Sequence, residues 1–113
     1  MLLPEIVEAV AGRTKIAVDG SFSRGSDIVK AICMGADWVG LGWLYCYGLA
    51  AAGAAGIERV IELLEEEMKE VMGLLGVTSL AQLDKSYISR SMPPNMPGVH
   101  SVFPLLNLAD EGY

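Results

Sequence analysis

Two short apolar runs, each followed by a glycine-containing turn and then a helical pattern, constrain the fold of this chain most. Residues 15–19 (KIAVD) precede Gly20, and residues 38–41 (WVGL) precede Gly42. Strands that alternate with helices predict right-handed parallel β-α-β units. Both runs are largely apolar, which is typical of strands that are covered on both faces. The sequence therefore predicts an α/β fold with a parallel sheet.

Apolar residues recur at helical spacing in the segments around these strands. A proline in a first turn and glycines after last turns mark several of the helix ends. Ser26 is placed as the N-cap of the second helix. The glutamates of the longest helix are interpreted as a solvated face and not as a metal site. The predicted helices cover residues 4–10, 27–34, 57–75 and a short stretch from 79 to about 83.

The number of strands is too small for a closed sheet. A two-stranded parallel sheet leaves both of its edges and much of its faces open. A (β/α)8 barrel usually needs about 250 residues, whereas this chain has 113. Two consecutive β-α units therefore look like an arc of a larger barrel. We predict that these units occupy residues 1–88 and that residues 89–113 form a proline-rich extended tail.

Charge and hydropathy exclude several function classes. The hydrophobic fraction of 52 % argues against a disordered chain. The net charge is −6 and the eight lysines and arginines are scattered, which argues against nucleic-acid binding. Such an apolar composition in a small chain indicates apolar faces that are buried against another polypeptide or a membrane.

A membrane span is the less favoured of these two explanations. Residues 38–57 carry no charge over 20 positions, which is long enough to cross a bilayer. The stretch contains five glycines and has no flanking cluster of lysine or arginine. The N-terminal Met-Leu-Leu-Pro-Glu lacks the basic segment of a secretory signal, so a cytoplasmic protein is expected. Cys33 and Cys46 are interpreted as buried free thiols.

The loops that follow the two strands are candidate phosphate sites. Residues 18–27 (VDGSFSRGSD) and 40–43 (GLGW) combine glycines with a following helix start. Backbone N–H groups in such loops can approach a phosphate, and the helix dipole favours the anion. The loops after strands seven and eight of (β/α)8 barrels frequently bind phosphate. Ordinary β-α turns have the same composition, so the residues alone leave both interpretations open.

Several spaced motifs over residues 3–88 favour the phosphate site over an ordinary β-α turn. They are LPEIVEAV at 3–10, VDG at 18–20, RGSDIVKA at 24–31, MGA at 34–36, GLAAAG at 48–53, GI at 56–57 and LLGV at 74–77. Their order resembles the FMN-dependent 2-hydroxy-acid dehydrogenase family, which includes glycolate oxidase, flavin-type L-lactate dehydrogenase and mandelate dehydrogenase. The resemblance implies the C-terminal part of a (β/α)8 TIM barrel, about strands seven and eight with their helices. It also implies an FMN-binding segment of an oxidoreductase that converts a small 2-hydroxy acid to the 2-oxo acid.

The resemblance implies that two loops hold the FMN phosphate. The family has an Asp-Gly-Gly-x-Arg-x-Gly loop after strand seven and a Gly-Arg pair after strand eight. Ser21 stands where the second glycine would be, and Ser23 and Trp43 stand where the two arginines would be. Arg24 matches a less constant basic position. The residues expected to bind FMN are Asp19, Gly20, Ser21, Phe22, Ser23, Arg24, Gly42 and Trp43.

The resemblance places the catalytic histidine and the substrate arginine in parts of the family's barrel that precede residue 1. We therefore expect no catalytic and no metal-binding residue here, and His100 is assigned a surface or packing role. The expected partners are the missing N-terminal barrel segment or a second copy of the chain in a homo-oligomer. A rival interpretation is a non-catalytic α/β assembly module that has lost flavin binding and closes its sheet by pairing two copies.

Overall fold

The computed structural model describes residues 2–89, and these form a mixed α/β fold in the predicted element order. The tail that we predict over residues 89–113 lies outside the described residues apart from Ser89. Two 3₁₀ turns follow the last α-helix. The elements are α1 Leu3–Val10, β1 Ala17–Asp19, α2 Gly25–Cys33, β2 Trp38–Gly40, α3 Leu44–Leu75, and the 3₁₀ turns Leu80–Gln82 and Lys85–Tyr87.

The two strands pair in parallel, with Ala17 opposite Trp38 and Asp19 opposite Gly40. β1 is shorter than expected because Ile16 N–H donates to the side chain of Asp37, 2.9 Å from Oδ2, and not to a strand carbonyl. The other carboxylate oxygen of Asp37 lies 2.7 Å from the ammonium of Lys15. The turn before β2 therefore fixes the start of β1 through one side chain.

The expectation that both faces of the sheet are covered is not met among the described residues. Ala17 is exposed, Val18 and Val39 are half-buried, and Trp38 is 67 % exposed. α2 packs near β2, but the apolar character of the strands is not matched by burial within residues 2–89. Apolar strand residues of this kind are typical of a parallel sheet that other elements cover.

α2 begins at Gly25 and not at Asp27, so the placement of Ser26 as its N-cap is wrong. Arg24 holds the N-cap position with extended backbone angles, φ −132° and ψ 148°. The first N–H of the helix donates to Glu67 Oε2 at 2.6 Å. A carboxylate from another helix thus takes the place that a local serine hydroxyl usually fills.

α3 starts 13 residues before the predicted position and is broken once. Ala52 (φ −151°, ψ 23°) and Gly53 (φ 60°, ψ −138°) separate a first arm, residues 44–51, from a second arm, residues 54–75. The two arms approach closely where Gly48 meets Gly56, since a Cβ at Gly48 would lie 2.8 Å from Val60 Cγ2. The first arm is missed because it lacks the alternation of charged and apolar residues that marks the second.

The uncharged stretch over residues 38–57 is therefore divided among β2, a turn and the two arms of α3. Among residues 2–89, no helix combines the length and the hydropathy that crossing a bilayer requires.

The core lies between α2 and the second arm of α3, and residues 77–88 close it. Val29, Cys33, Val77 and Leu83 are buried in one cluster. Glu62, Glu65 and other glutamates of α3 lie on the opposite, solvated face, as predicted, and pair with Arg59 or Lys69. Partly buried side chains around the cluster are Ile32, Met68, Val71, Met72, Leu75 and Ile88.

Candidate functional site

The two predicted loops meet at the carboxyl edge of the sheet. Asp19 ends β1 directly opposite Gly40, which ends β2. A Cβ at Gly40 would lie 3.1 Å from the side chain of Asp19, and one at Gly42 would lie 3.3 Å from Asp19 Oδ1. The structure therefore brings Asp19 and Gly42 together, and the absence of a side chain at Gly42 permits this approach.

The first loop turns through two left-handed residues. Gly20 has φ 128° and Ser21 has φ 57°. A Cβ at Gly20 would meet nothing within 4 Å, so this point of the loop opens to free space. Ser21 adopts a conformation that costs a residue with a side chain about 1–2 kcal/mol. The backbone thus keeps a turn suited to glycine although serine stands there, with Phe22 half-buried and Ser23 exposed beyond it.

The side chain of Arg24 forms an ion pair with Glu67. Its Nε lies 2.9 Å from Glu67 Oε1, with the Arg24 side chain 69 % and the Glu67 side chain 29 % exposed. Glu67 is not among the site residues expected from the sequence, because it lies in a run of glutamates that face solvent. The position of Glu67 could have been inferred from its spacing. Glu67 follows the buried Leu64 by three residues and precedes the half-buried Met68, which places it at the edge of the packed face.

Trp43 begins the turn into α3 and is 72 % exposed. The side chain therefore does not fill the core of the described region. Tyr45 and Tyr47 follow it and are 43 % and 68 % exposed. Cys46 donates weakly from Sγ to the carbonyl of Gly42 at 3.7 Å. The second loop thus presents an aromatic group where the resemblance implies a guanidinium.

A family model described as FMN-dependent dehydrogenase matches residues 1–90 of this chain. The chain belongs to the FMN-dependent dehydrogenase family. The resemblance stated from the sequence motifs is confirmed, and FMN is the cofactor of the family.

Individual relatives agree with the family assignment. The chain is 43 % identical over 86 residues to an L-lactate oxidase from Nostoc sp., covering 76 % of this chain and 24 % of the relative. It is 39 % identical over 89 residues to an L-lactate dehydrogenase from Caulobacter sp., covering 79 % of this chain and 23 % of the relative. The chain thus spans about a quarter of the length of the curated relatives that it matches.

Solved structures give the same picture. A mandelate oxidase mutant with a monooxide FMN adduct superposes with a TM-score of 0.67 at 43 % identity, covering 70 % of this chain and 25 % of that one. A monotopic membrane protein, (S)-mandelate dehydrogenase, superposes with a TM-score of 0.74 at 34 % identity, covering 79 % and 23 %.

The two loops of this member of the FMN-dependent dehydrogenase family offer a phosphate little positive charge. The turn at Gly20 is open, whereas the space beside Gly42 is taken by the carboxylate of Asp19. Of the eight residues expected to bind FMN, Arg24 alone is cationic, and Glu67 pairs with it. Asp19 adds a negative charge beside Gly42. A phosphate here would depend on backbone and hydroxyl donors for most of its stabilisation.

The remaining reactive side chains add no second centre to the described part of the chain. Cys33 is buried, as predicted, and burial together with the nearby charge of Asp84 raises the pKa of its thiol. Cys46 is half-buried, so its predicted burial is only partly met. Residues 2–89 contain no cluster of His, Cys, Asp or Glu that could hold a metal ion. His100 lies outside the described residues.

Proposed function

We propose that residues 1–88 supply the FMN-phosphate wall of a (β/α)8 barrel oxidoreductase that oxidises a small 2-hydroxy acid to the 2-oxo acid. These residues correspond to about strands seven and eight with their helices, and residues 89–113 form the tail. One observation carries the proposal: Asp19, directly before Gly20, lies against Gly42 at the carboxyl edge of two parallel strands, and Ala17 and Trp38 of these strands are exposed within the described part of the chain. Ligands of open and closed parallel sheets bind at this edge.

The partner in this proposal is the remainder of the barrel, or a second copy of the chain in a homo-oligomer. Trp38 and Ala17 support it, because they are exposed on strands whose composition suits a covered sheet. The base that removes the α-proton and the group that binds the substrate carboxylate come from the remainder of the barrel, and this chain contributes no catalytic residue. The complete enzyme acts on the 2-hydroxy acid in the cytoplasm.

The FMN site comprises the two loops, with Asp19, Gly20, Ser21, Phe22, Ser23 and Arg24 in the first and Gly42 and Trp43 in the second. In this site backbone groups of both loops approach the phosphate, and the serine hydroxyls take part of the role of the family's arginines. Because a charge-assisted hydrogen bond contributes about 1.5–3 kcal/mol, the expected affinity for FMN is lower than in a relative that keeps the arginines.

The test pairs the chain with the part of the Nostoc L-lactate oxidase that precedes its matching segment, and follows flavin fluorescence during titration. The complex is expected to bind FMN saturably and more tightly than riboflavin, which lacks the phosphate. Trp43→Arg is expected to tighten FMN binding by about 10- to 100-fold and to leave riboflavin binding unchanged. A folded complex that fails to bind FMN, with or without Trp43→Arg, contradicts the proposal.

A second candidate is a non-catalytic α/β assembly module. The observation that favours it is the state of the cationic positions: Arg24 is paired with Glu67, and Trp43 replaces a guanidinium. This candidate expects a stable homo-oligomer of the full chain, measured by light scattering after size exclusion, with no quenching of FMN fluorescence. Saturable FMN binding by the same oligomer would count against it.

A further inference from the structure

We propose that Glu67 is a positioning residue that fixes the first loop, residues 20–24, in the conformation that faces the flavin phosphate; this rests on the proposed function. Its carboxylate makes two contacts with consecutive residues of the loop end. Oε1 lies 2.9 Å from Arg24 Nε, and Oε2 accepts the N–H of Gly25 at 2.6 Å. One side chain of α3 thus holds both the last loop residue and the first residue of α2.

The packing around Gly25 makes this contact specific to one position. A Cβ at Gly25 would lie 2.6 Å from both Glu67 Cβ and Met68 N, and 2.7 Å from the carbonyl oxygen of Leu64. The start of α2 is therefore seated directly on the backbone of α3. Gly25 is buried although it opens a helix at the end of a loop. Close packing fixes the position of Gly25 against α3, and the contacts of Glu67 with Arg24 and Gly25 lie at that position.

Glu67 differs from the neighbouring glutamates in lying at the N-terminus of α2 and in being less exposed. Carboxylates near the N-terminus of a helix are stabilised by the helix dipole and by the free N–H groups. The Glu67 side chain is 29 % exposed, while those of Glu65 and Glu66 are 60 % and 59 % exposed. Because the protein's own carboxylate accepts the first N–H of α2, a phosphate is directed to the loop backbone and Gly42, and away from that N–H.

Glu67 acts in this scheme through the loop and does not touch the flavin. The experiment uses the full chain and three variants. Glu67→Ala removes both contacts, and Glu67→Gln retains an oxygen that accepts the Gly25 N–H but lacks the charge for Arg24. Glu66→Ala is the matched control, since Glu66 lies one residue away on the solvated face, and its one ion pair within residues 2–89 is with Arg59, at 3.6 Å.

The first readout is amide hydrogen exchange over residues 20–25, with the amides of the second arm of α3 as an internal reference. Glu67→Ala is expected to speed exchange of the Gly25 amide and its loop neighbours about tenfold, and Glu67→Gln to restore most of the protection. Glu66→Ala is expected to leave the loop unchanged. Equal acceleration in the loop and in α3, or no difference between Glu67→Ala and Glu66→Ala, overturns the proposal.

The second readout is the ratio of riboflavin to FMN dissociation constants, measured on the complex of each variant with the Nostoc barrel segment, and it isolates the contribution of the phosphate. Glu67→Ala is expected to lower this ratio about tenfold while the riboflavin constant stays fixed. Equal weakening of both flavins contradicts a role in placing the phosphate loop. A complex of the wild-type chain with the Nostoc barrel segment that shows no preference for FMN defeats the proposed function, and the exchange comparison then decides the role of Glu67 alone.

Discussion

Two regions of this molecule differ in how well the described residues bury their apolar side chains. The helical layer, defined as α2, the second arm of α3 and residues 77–88, buries Val29 and Cys33 to 2 % exposure. The open sheet, defined as β1, β2 and residues 20–24 and 41–43, leaves Trp38 and Trp43 67 % and 72 % exposed. Within residues 2–89, the apolar side chains of the helical layer are packed, and those of the open sheet are largely exposed.

This difference separates stability from function. Burial of apolar surface contributes about 25 cal/mol per Å², so the helical layer carries most of the stabilisation that residues 2–89 generate. The open sheet carries the two loops for which we propose FMN binding, and within residues 2–89 its edges and much of its faces are uncovered. The following changes test whether the two regions respond as differently as their burial indicates.

The largest loss of stability is expected from a cavity in the helical layer. Leu83 is 8 % exposed in the core cluster, whereas Leu74 is 90 % exposed. Leu83→Ala is expected to lower the free energy of unfolding by about 2–5 kcal/mol. Leu74→Ala, with the same chemical change, is expected to alter it by less than about 0.5 kcal/mol. Urea unfolding followed by far-UV circular dichroism measures both, and equal losses would mean that the helical layer is not the core.

The junction between the regions is the next most sensitive point. Gly25→Ala places a Cβ 2.6 Å from Met68 N, where backbone cannot yield easily. It is expected to cost about 1–3 kcal/mol and to displace the first loop. Gly73→Ala is the control, because a Cβ there meets nothing within 4 Å inside α3. That change is expected to stabilise the chain by about 0.5–1 kcal/mol, so the two glycines should shift the urea midpoint in opposite directions.

The sequence predicted those features that depend on local pattern. β1, β2, α2 and the second arm of α3 follow from apolar periodicity and flanking glycines, with ends that differ by up to three residues. The meeting of Asp19 with Gly42 follows from topology, since the carboxyl ends of neighbouring parallel strands share one edge. Each of these features can be inferred from one short segment of sequence or from the handedness of β-α-β connections.

The features that were missed depend on contacts between distant residues. Glu67 caps α2 from 42 positions away, which displaced the expected cap at Ser26. The first arm of α3 packs against the second arm where Gly48 meets Gly56. Residues 44–51 have no amphipathic periodicity from which this arm could be predicted. Burial of the strands was predicted from their composition and is not met within residues 2–89, because composition does not show which residues cover a sheet.

Acid is expected to act on the open sheet through Asp37. The hydrogen bond from Lys15, and then that from the Ile16 N–H, lower the pKa of Asp37 from its usual value of 3.8. A carboxyl group with a depressed pKa in the folded state contributes stability above its unfolded pKa and loses it as the pH falls further. Stability should therefore decline below about pH 4, and Asp37→Asn should flatten that decline.

Tryptophan fluorescence measures this effect on the sheet, since Trp38 and Trp43 both belong to it. Asp84 provides the comparison in the helical layer, because its pKa is lowered by hydrogen bonds from Ser86. Asp37→Asn should move the acid transition seen by fluorescence more than that seen by circular dichroism, and Asp84→Asn should not share this preference. Identical shifts in both signals for both variants would show that the regions unfold as one unit.

The smallest change in folding stability is expected where the sheet is most exposed. Trp38→Lys removes an apolar group that is 67 % exposed and adds a charge to an open strand, so the free energy of unfolding should change by less than about 0.5 kcal/mol. Charged residues on open strands suppress pairing between copies, so self-association of the full chain should nevertheless fall, as measured by light scattering against concentration. If instead stability collapsed while association persisted, the exposed face of the sheet would be part of the core and the contrast between the regions would be wrong.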